Sequence, residues 1–274
     1  MRWLTRGLLL GYALAVVAPL MWILLSSLRP SADVVADPLG WPQRWTLSNF
    51  EDAFVQARFA RYFVNSLYVT VWSTLLTVLL GSALAYSTAR FRLPASGLTQ
   101  AALAIGLIIP LQLVVLPLFF MLKWMGLLGT HTGLILVYTA SGIPYAVLLL
   151  RGFFWRLPQE LYEAAVLDGC SPVQAFWKIF LPLARPGITT VALFTALSIY
   201  NEYFLAFIFL SGQESESLRT LPLGLADLTM VSQYHADFGQ LYAGLVLVML
   251  PSVMLYLLIH RYLLEGLSEG AVKG

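Results

Sequence analysis

Long apolar runs alternate with short polar connections along this chain. The first run, Gly7 to Leu28, follows Arg2 and Arg6. It is longer than a cleaved signal peptide's apolar core and lacks a small-x-small cleavage site at its end, immediately before Arg29, so it is read as an uncleaved spanning helix. Further runs cover residues 63–89, 97–122, 133–150, 187–210 and 241–263. Each falls near the roughly 20 residues that cross a bilayer as a helix, and six spans are predicted. Prolines at 110, 117, 144 and 251 lie inside these runs and are expected to loosen them.

The connections differ in character. Residues 29–62 contain prolines at 30, 38 and 42. Within them Ser48 or Asn49 is placed to cap a short amphipathic helix with Phe50, Ala53, Phe54 and Ala57 at helical spacing, lying on the membrane surface or on a neighbour. Residues 211–240 read as a polar external segment. The interval Pro158 to Pro186, PQELYEAAVLDGCSPVQAFWKIFLPLARP, looks tightly structured. Pro158 suits the first position of a helix, and Glu160 and Glu163 complement the positive end of its dipole. Gly169 readily takes the left-handed conformation that ends a helix. Ser171-Pro172-Val173-Gln174 then supplies an N-cap, a proline at the first position and a reciprocal glutamine. Two short helices joined by a glycine corner are predicted. The first carries Leu161, Ala164, Ala165 and Asp168 at three-four spacing, with Glu163 to one side. Small residues there permit close approach by another protein surface; an interfacial hairpin with no partner is the plainer reading.

Composition agrees with the membrane assignment. The chain is 59% hydrophobic and 11% charged, against about 45–50% and about 25% for soluble domains. A net charge of +2 without a basic cluster gives no reason to expect nucleic acid, and one cysteine, Cys170, excludes a disulfide framework. With six spans, Arg2, Arg6, Arg90, Arg92, Arg151, Arg156, Lys178, Arg185, Arg261 and Lys273 fall on one side, ten of the 16 basic residues. The excess places both termini and the 158–186 interval in the cytoplasm.

Catalytic motifs are missing. The sequence contains neither a G-x-x-x-x-G-K-[ST] loop nor an H-E-x-x-H pair. His131, His235 and His260 have no partners at ligand spacing, so no metal site is expected. Ser141-Gly142 with His260 resembles an intramembrane protease dyad only loosely, because Thr139 stands where a glycine is expected and the two side chains belong at different depths. A helix-packing Ser-Gly pair beside a proline is the simpler reading. Asn201-Glu202 is an intramembrane polar pair, which usually faces a bundle interior or a wet path. Hydration near the external interface is the alternative. Tyr200, Tyr203, Phe204 and Phe207 flank the pair, either stacking on sugar rings or simply packing.

Glu163-Ala164-Ala165, Asp168-Gly169 and Ile179-x-Leu181-Pro182 keep the spacing of a known signature loop. The chain thereby resembles permease subunits of bacterial ATP-binding-cassette (ABC) importers, departing at Cys170, where alanine is usual. The similarity extends to the carbohydrate-uptake class, in particular the smaller maltose-transporter-like permeases. It runs through Ser27-Leu28-Arg29-Pro30, Thr46-Leu47-Ser48-Asn49-Phe50, Asn65-Ser66, Asn201-Glu202, Arg219-Thr220-Leu221-Pro222 and Gly270-Ala271-Val272-Lys273-Gly274. The resemblance implies an all-α, six-helix, type I importer fold and import of a sugar or oligosaccharide, with a glycerophosphodiester or other polar solute as the alternative and a membrane-embedded enzyme as a remote one. It implies ATPase coupling through Glu163, Ala164, Ala165, Asp168, Gly169, Cys170, Ile179, Leu181 and Pro182. A substrate path past Gln112, Tyr200, Asn201, Glu202 and Tyr203 is expected. The implied partners are a paralogous permease, a homodimeric ATPase that holds ATP and Mg, an extracytoplasmic solute-binding protein and lipid, with no cofactor on this chain. The 211–240 segment resembles the loop that reaches into the binding protein, and the 266–274 tail a strip that contacts the ATPase pair.

Overall fold

The computed structural model describes residues 2–91 and 96–271, and among them every regular element is helical. α1 (Arg2–Ser27) is followed by α2 (Ser31–Ala36) and α3 (Ser48–Glu51), which runs on into a π-helical turn at Asp52–Gln56. Then come α4 (Phe59–Arg90), α5 (Ser96–Ile108), α6 (Leu111–Trp124) and α7 (His131–Arg156). The next interval folds as α8 (Glu160–Leu167), α9 (Pro172–Ala175), a π-helical turn at Phe176–Phe180 and α10 (Leu181–Leu183). α11 (Arg185–Tyr200), α12 (Phe204–Leu210), a 3-10 turn at Gln213–Leu218, α13 (Leu221–His235) and α14 (Phe238–Ala271) complete the order. Among the described residues four helices are each long and apolar enough to cross a membrane, and up to six crossings result if two bent pairs, Gly97–Ile108 with Leu111–Trp124 and Pro172–Leu183 with Arg185–Tyr200 (80°), each count as one.

Two of the predicted runs are interrupted. The run at 97–122 is the pair α5 and α6, bent by 107°. Ile109 donates the last bond of α5 to Ile105, and Pro110, with no N–H and an extended ψ of 133°, cannot continue it. Pro144 has the same chemistry but stays inside α7; a Cβ on Gly106 of α5 would lie 2.7 Å from its ring, so the proline is packed over by a neighbour. The run at 187–210 breaks at Asn201, whose backbone N–H and side-chain Nδ2 both donate to the Leu197 carbonyl. A side chain that competes for a helical acceptor in this way favours termination. The predicted polar segment at 211–240 is instead largely helical. Leu221, Leu223 and Leu228 of α13 are buried while Met230, Val231 and Tyr234 are exposed.

The chain divides into two compact units. The first comprises residues 1–65 and 219–255. Neither Ser48 nor Asn49 caps α3: Leu47 occupies that position and no side chain caps it. Asn49 is buried and donates from Nδ2 to the carbonyls of Ser27 (2.8 Å) and Arg29 (2.7 Å). Arg29, also buried, donates to the carbonyls of Asp33 and Asp37 at the end of α2. Ser31 bonds the Asp237 carboxylate and accepts from Gly239 N–H at 3.0 Å, fastening α2 to the start of α14. Asn65 donates to the Arg219 carbonyl at 2.9 Å, and Arg219 pairs with Asp227 at 2.6 Å.

The second unit comprises residues 66–218 and 256–274. α4 and α7 approach closely: an added Cβ on Gly81 would stand 2.7 Å from that of Ala146, and one on Gly142 would stand 2.8 Å from Thr77 Cγ2. Ser141 donates to the carbonyl of Tyr138 at 3.1 Å, within its own helix, and Gly142 is the member of the pair at the contact with α4. Thr130 caps α7 by accepting from Gly133 N–H. The side chain of His260 and residues 272–274 of the tail lie outside the described residues.

Candidate functional site

The interval 158–186 forms a helical corner. Pro158 stands ahead of α8 rather than inside it, and Gln159 is the N-cap residue. At the other end Gly169 adopts φ +78°. Its N–H donates to Val166 O at 3.0 Å, and Cys170 N–H donates to Ala165 O at 2.8 Å. These two bonds form a Schellman closure, which needs a left-handed residue between them. Ser171 and Gln174 complete the predicted capping box, with bonds of 2.8 and 3.2 Å.

Helical periodicity divides the signature residues into two faces. Ala165 is 2% exposed and packs in the core with Ala175, Phe176 and Phe180, while Leu161 is partly buried against the same cluster. The expectation that Ala164 and Ala165 both face a partner is therefore corrected: only Ala164 is exposed. Glu163, Asp168 and Gly169 are exposed with it. Leu167 is 88% exposed, and Val166, Val173 and Trp177 also stand open to solvent. Cys170, Ile179 and Leu181 are half-buried and Pro182 is exposed. The corner thus presents an acidic and apolar outer face on an apolar root.

That root includes residues that the sequence did not single out. Tyr86 is buried, with ring centroids of Phe154, Phe176, Phe180 and Phe91 between 5.1 and 5.8 Å away, and its hydroxyl donates to Pro172 O at 3.3 Å. One turn later Arg90 donates from Nη2 to the carbonyls of Phe154 and Leu157, both at 2.6 Å. Its Nη1 reaches Gln159 Oε1 at 3.2 Å, and its guanidinium lies 4.7 Å from the Phe180 ring centroid. The only sequence signal for this cluster was the density of aromatic residues on both sides of the corner.

A cavity of about 410 Å³ lies in the same unit, between α6, α7, α11 and α12. Tyr138, Ser141, Tyr145, Phe194, Thr195, Ser198 and Glu202 line it together with apolar side chains. Its mix of aromatic faces and hydroxyls suits a small polar solute with apolar faces. Glu202 accepts from Tyr138 Oη and from the N–H groups of Leu205 (2.8 Å) and Ala206 (3.2 Å). Of the five expected path residues only Glu202 is in the lining. Tyr200 is buried elsewhere, Asn201 and Tyr203 are exposed, and Gln112 is exposed one residue beyond the lining Leu111. Tyr138, Tyr145, Thr195 and Ser198 were not foreseen; the separation of α7 from α11 in sequence hides their proximity. Among the described residues no group of three or more His, Cys, Asp and Glu could hold a metal ion.

Residues 77–268 match the family model described as "binding-protein-dependent transport system inner membrane component". The chain is 34% identical over 270 residues to the diacetylchitobiose uptake system permease protein NgcG of Streptomyces coelicolor, covering 98% of this chain and 88% of that one. It is 34% identical over 267 residues to the trehalose transport system permease protein SugB of Mycobacterium tuberculosis, covering 97% and 95%. A crystal structure of a bacterial ABC transporter that imports the acidic polysaccharide alginate contains a chain that superposes with a TM-score of 0.77 at 22% identity, covering 94% of this chain and 95% of that chain.

Proposed function

The chain belongs to the family of binding-protein-dependent transport system inner membrane components, a transport component and not an enzyme, and from that premise we propose that it forms half of the pathway of an ATP-driven sugar importer. The other half is a paralogous permease, and a homodimeric ATPase holds ATP and Mg. The helical corner is the part that seats on the ATPase, on the cytoplasmic side. The observation that carries this reading is the two-faced α8: Ala165 is sunk in the core while Glu163, Ala164 and Leu167 stand outward. An element so built can take up a push from a soluble partner without being pulled out of its own unit.

ATP binding draws the ATPase halves together, the corner moves with them, and the spans rock between inward- and outward-facing states. The binding protein then releases its solute into the pathway. The exposed end of α13, with Met230, Val231 and Tyr234, is the surface offered to that protein. The cavity beside Glu202 contributes hydroxyl donors and aromatic faces to the solute path, with Glu202 orienting the lining and Tyr145, Thr195 and Ser198 facing the solute. A sugar is preferred to a glycerophosphodiester because the diacetylchitobiose and trehalose permeases are relatives over nearly the whole chain, and because among the described residues no basic side chain lines the cavity to receive a phosphate.

The test is reconstitution with the neighbouring permease, ATPase and binding protein in vesicles. Radiolabelled trehalose and diacetylchitobiose are the probes, and ATP-dependent accumulation of either is expected. Failure of the ATPase to co-purify with the chain would overturn the reading, as would accumulation of a glycerophosphodiester in place of both sugars for the sugar assignment.

A further inference from the structure

The geometry points to Arg90 as a positioning residue that carries movement of the helical corner into α4; this rests on the corner being the ATPase seat. The corner is joined covalently to α7 and α11, yet its closest polar anchorage is to a third helix. Arg90 is the last residue of α4. Its Nη2 donates to two carbonyls at the end of α7, Phe154 and Leu157. Both carbonyls lie at the helix C-terminus, where the dipole favours a cation, and the Phe154 carbonyl also accepts the Leu157 N–H at 3.3 Å. The second nitrogen, Nη1, reaches Gln159, the residue from which α8 starts. The guanidinium face meets Phe180, which is fully buried at the far end of the corner. One planar group therefore holds the entry to α8, the exit of the π-helical turn and the end of α7 in fixed relation to α4.

The chemistry requires arginine. A flat five-donor fork can serve carbonyls in its plane and a ring on its face together, whereas lysine supplies a point charge with no face. Apolar contacts alone would hold the corner in place but allow it to slide. Tyr86, one turn earlier, supplies such contacts to Phe154, Phe176 and Phe180. Arg90 adds directional bonds, so a displacement of α8 must move the end of α4 or break them. The expected consequence of removing Arg90 is a transporter that assembles and hydrolyses ATP but no longer transmits hydrolysis to the pathway.

The experiment uses the complete transporter in lipid nanodiscs, with Cys170→Ser and Ser198→Cys placing this chain's single cysteine in the cavity. The readout is the rate at which a water-soluble maleimide labels that cysteine, compared with and without ATP. Arg90→Met should keep ATPase co-purification and hydrolysis while the ATP-dependent rate ratio falls by about 2- to 30-fold. Arg90→Lys should restore part of the ratio, which a purely space-filling role would not predict. If Arg90→Met fails to assemble, Gln159→Leu and Phe180→Leu carry the test: the first removes the Nη1 partner at an exposed position, and the second removes the ring under the guanidinium while keeping an apolar side chain. An undiminished ratio in Arg90→Met, or in both partner variants, overturns the assignment. A Leu167→Cys crosslink to the ATPase separates the two levels. Its formation with an undiminished ratio overturns Arg90 alone, and its absence overturns the seating of the corner and this proposal with it.

Discussion

Tyr138 of α7 and Glu202, in the break between α11 and α12, share a hydrogen bond in which the phenol donates to the carboxylate. The same carboxylate accepts the N–H groups of Leu205 and Ala206, whose residues are almost wholly buried. Glu202 thus does two jobs in the cavity wall. It restarts helix α12 after the break at Asn201, and it ties that restart to α7. A residue that looked from sequence like a bare intramembrane acid is occupied on three sides.

This arrangement predicts a graded loss of stability. Glu202→Ala removes the acceptor for two first-turn N–H groups and should lower stability by about 1–2 kcal/mol. Tyr138→Phe removes only the phenolic donor and should cost about 1 kcal/mol. Thermal unfolding in detergent measures both, and the double variant should lose less than the sum because the two changes share one bond. Glu202→Gln keeps one acceptor oxygen, so it should assemble while altering uptake.

Gly169 offers a test of backbone strain without crowding. An added Cβ meets nothing within 4 Å, yet φ is +78°. Gly169→Ala should therefore cost about 1–2 kcal/mol through the left-handed backbone alone. Gly169→Asn should be milder, because asparagine enters that region more readily. Comparison of the two melting temperatures checks it; a larger loss for asparagine would point instead to crowding.

The outer face of α8 should separate binding from folding. Leu167→Asp and Glu163→Lys alter exposed positions, and surface changes of this kind usually stay within about 0.5 kcal/mol. Neither should shift the melting temperature appreciably, but both should weaken co-purification of the ATPase. Ala165→Leu is the converse case. It overfills a buried site and should cost about 1–3 kcal/mol.

Close packing of α4 on α7 can be probed at Gly81. A Cβ there would stand 2.7 Å from Ala146 Cβ, too near for either helix to remain in place. Gly81→Val should lower the melting temperature by the equivalent of about 1–3 kcal/mol. Ala146→Gly in the same chain should recover part of the loss, because it removes the opposing methyl group.

The sequence by itself determined the apolar runs, the capping box at Ser171 and Gln174, and the left-handed turn at Gly169. Each of these is local: a run of hydrophobic side chains, a serine three residues from a glutamine, or a glycine without Cβ acts within one or two helical turns. The signature spacing around Glu163-Ala164-Ala165 was legible for the same reason. Which alanine faces outward was not, because that depends on where the aromatic cluster of Tyr86, Phe154, Phe176 and Phe180 lies. Tertiary structure also decided that Pro110 bends its run by 107° while Pro144 does not. The local chemistry of the two prolines is the same, but Pro144 is covered by a glycine of a neighbouring helix. Arg90 shows the limit most clearly. In sequence it is the charge that ends an apolar run; in the fold its partners are 64 to 90 positions away, and only packing brings their carbonyls and ring to one guanidinium.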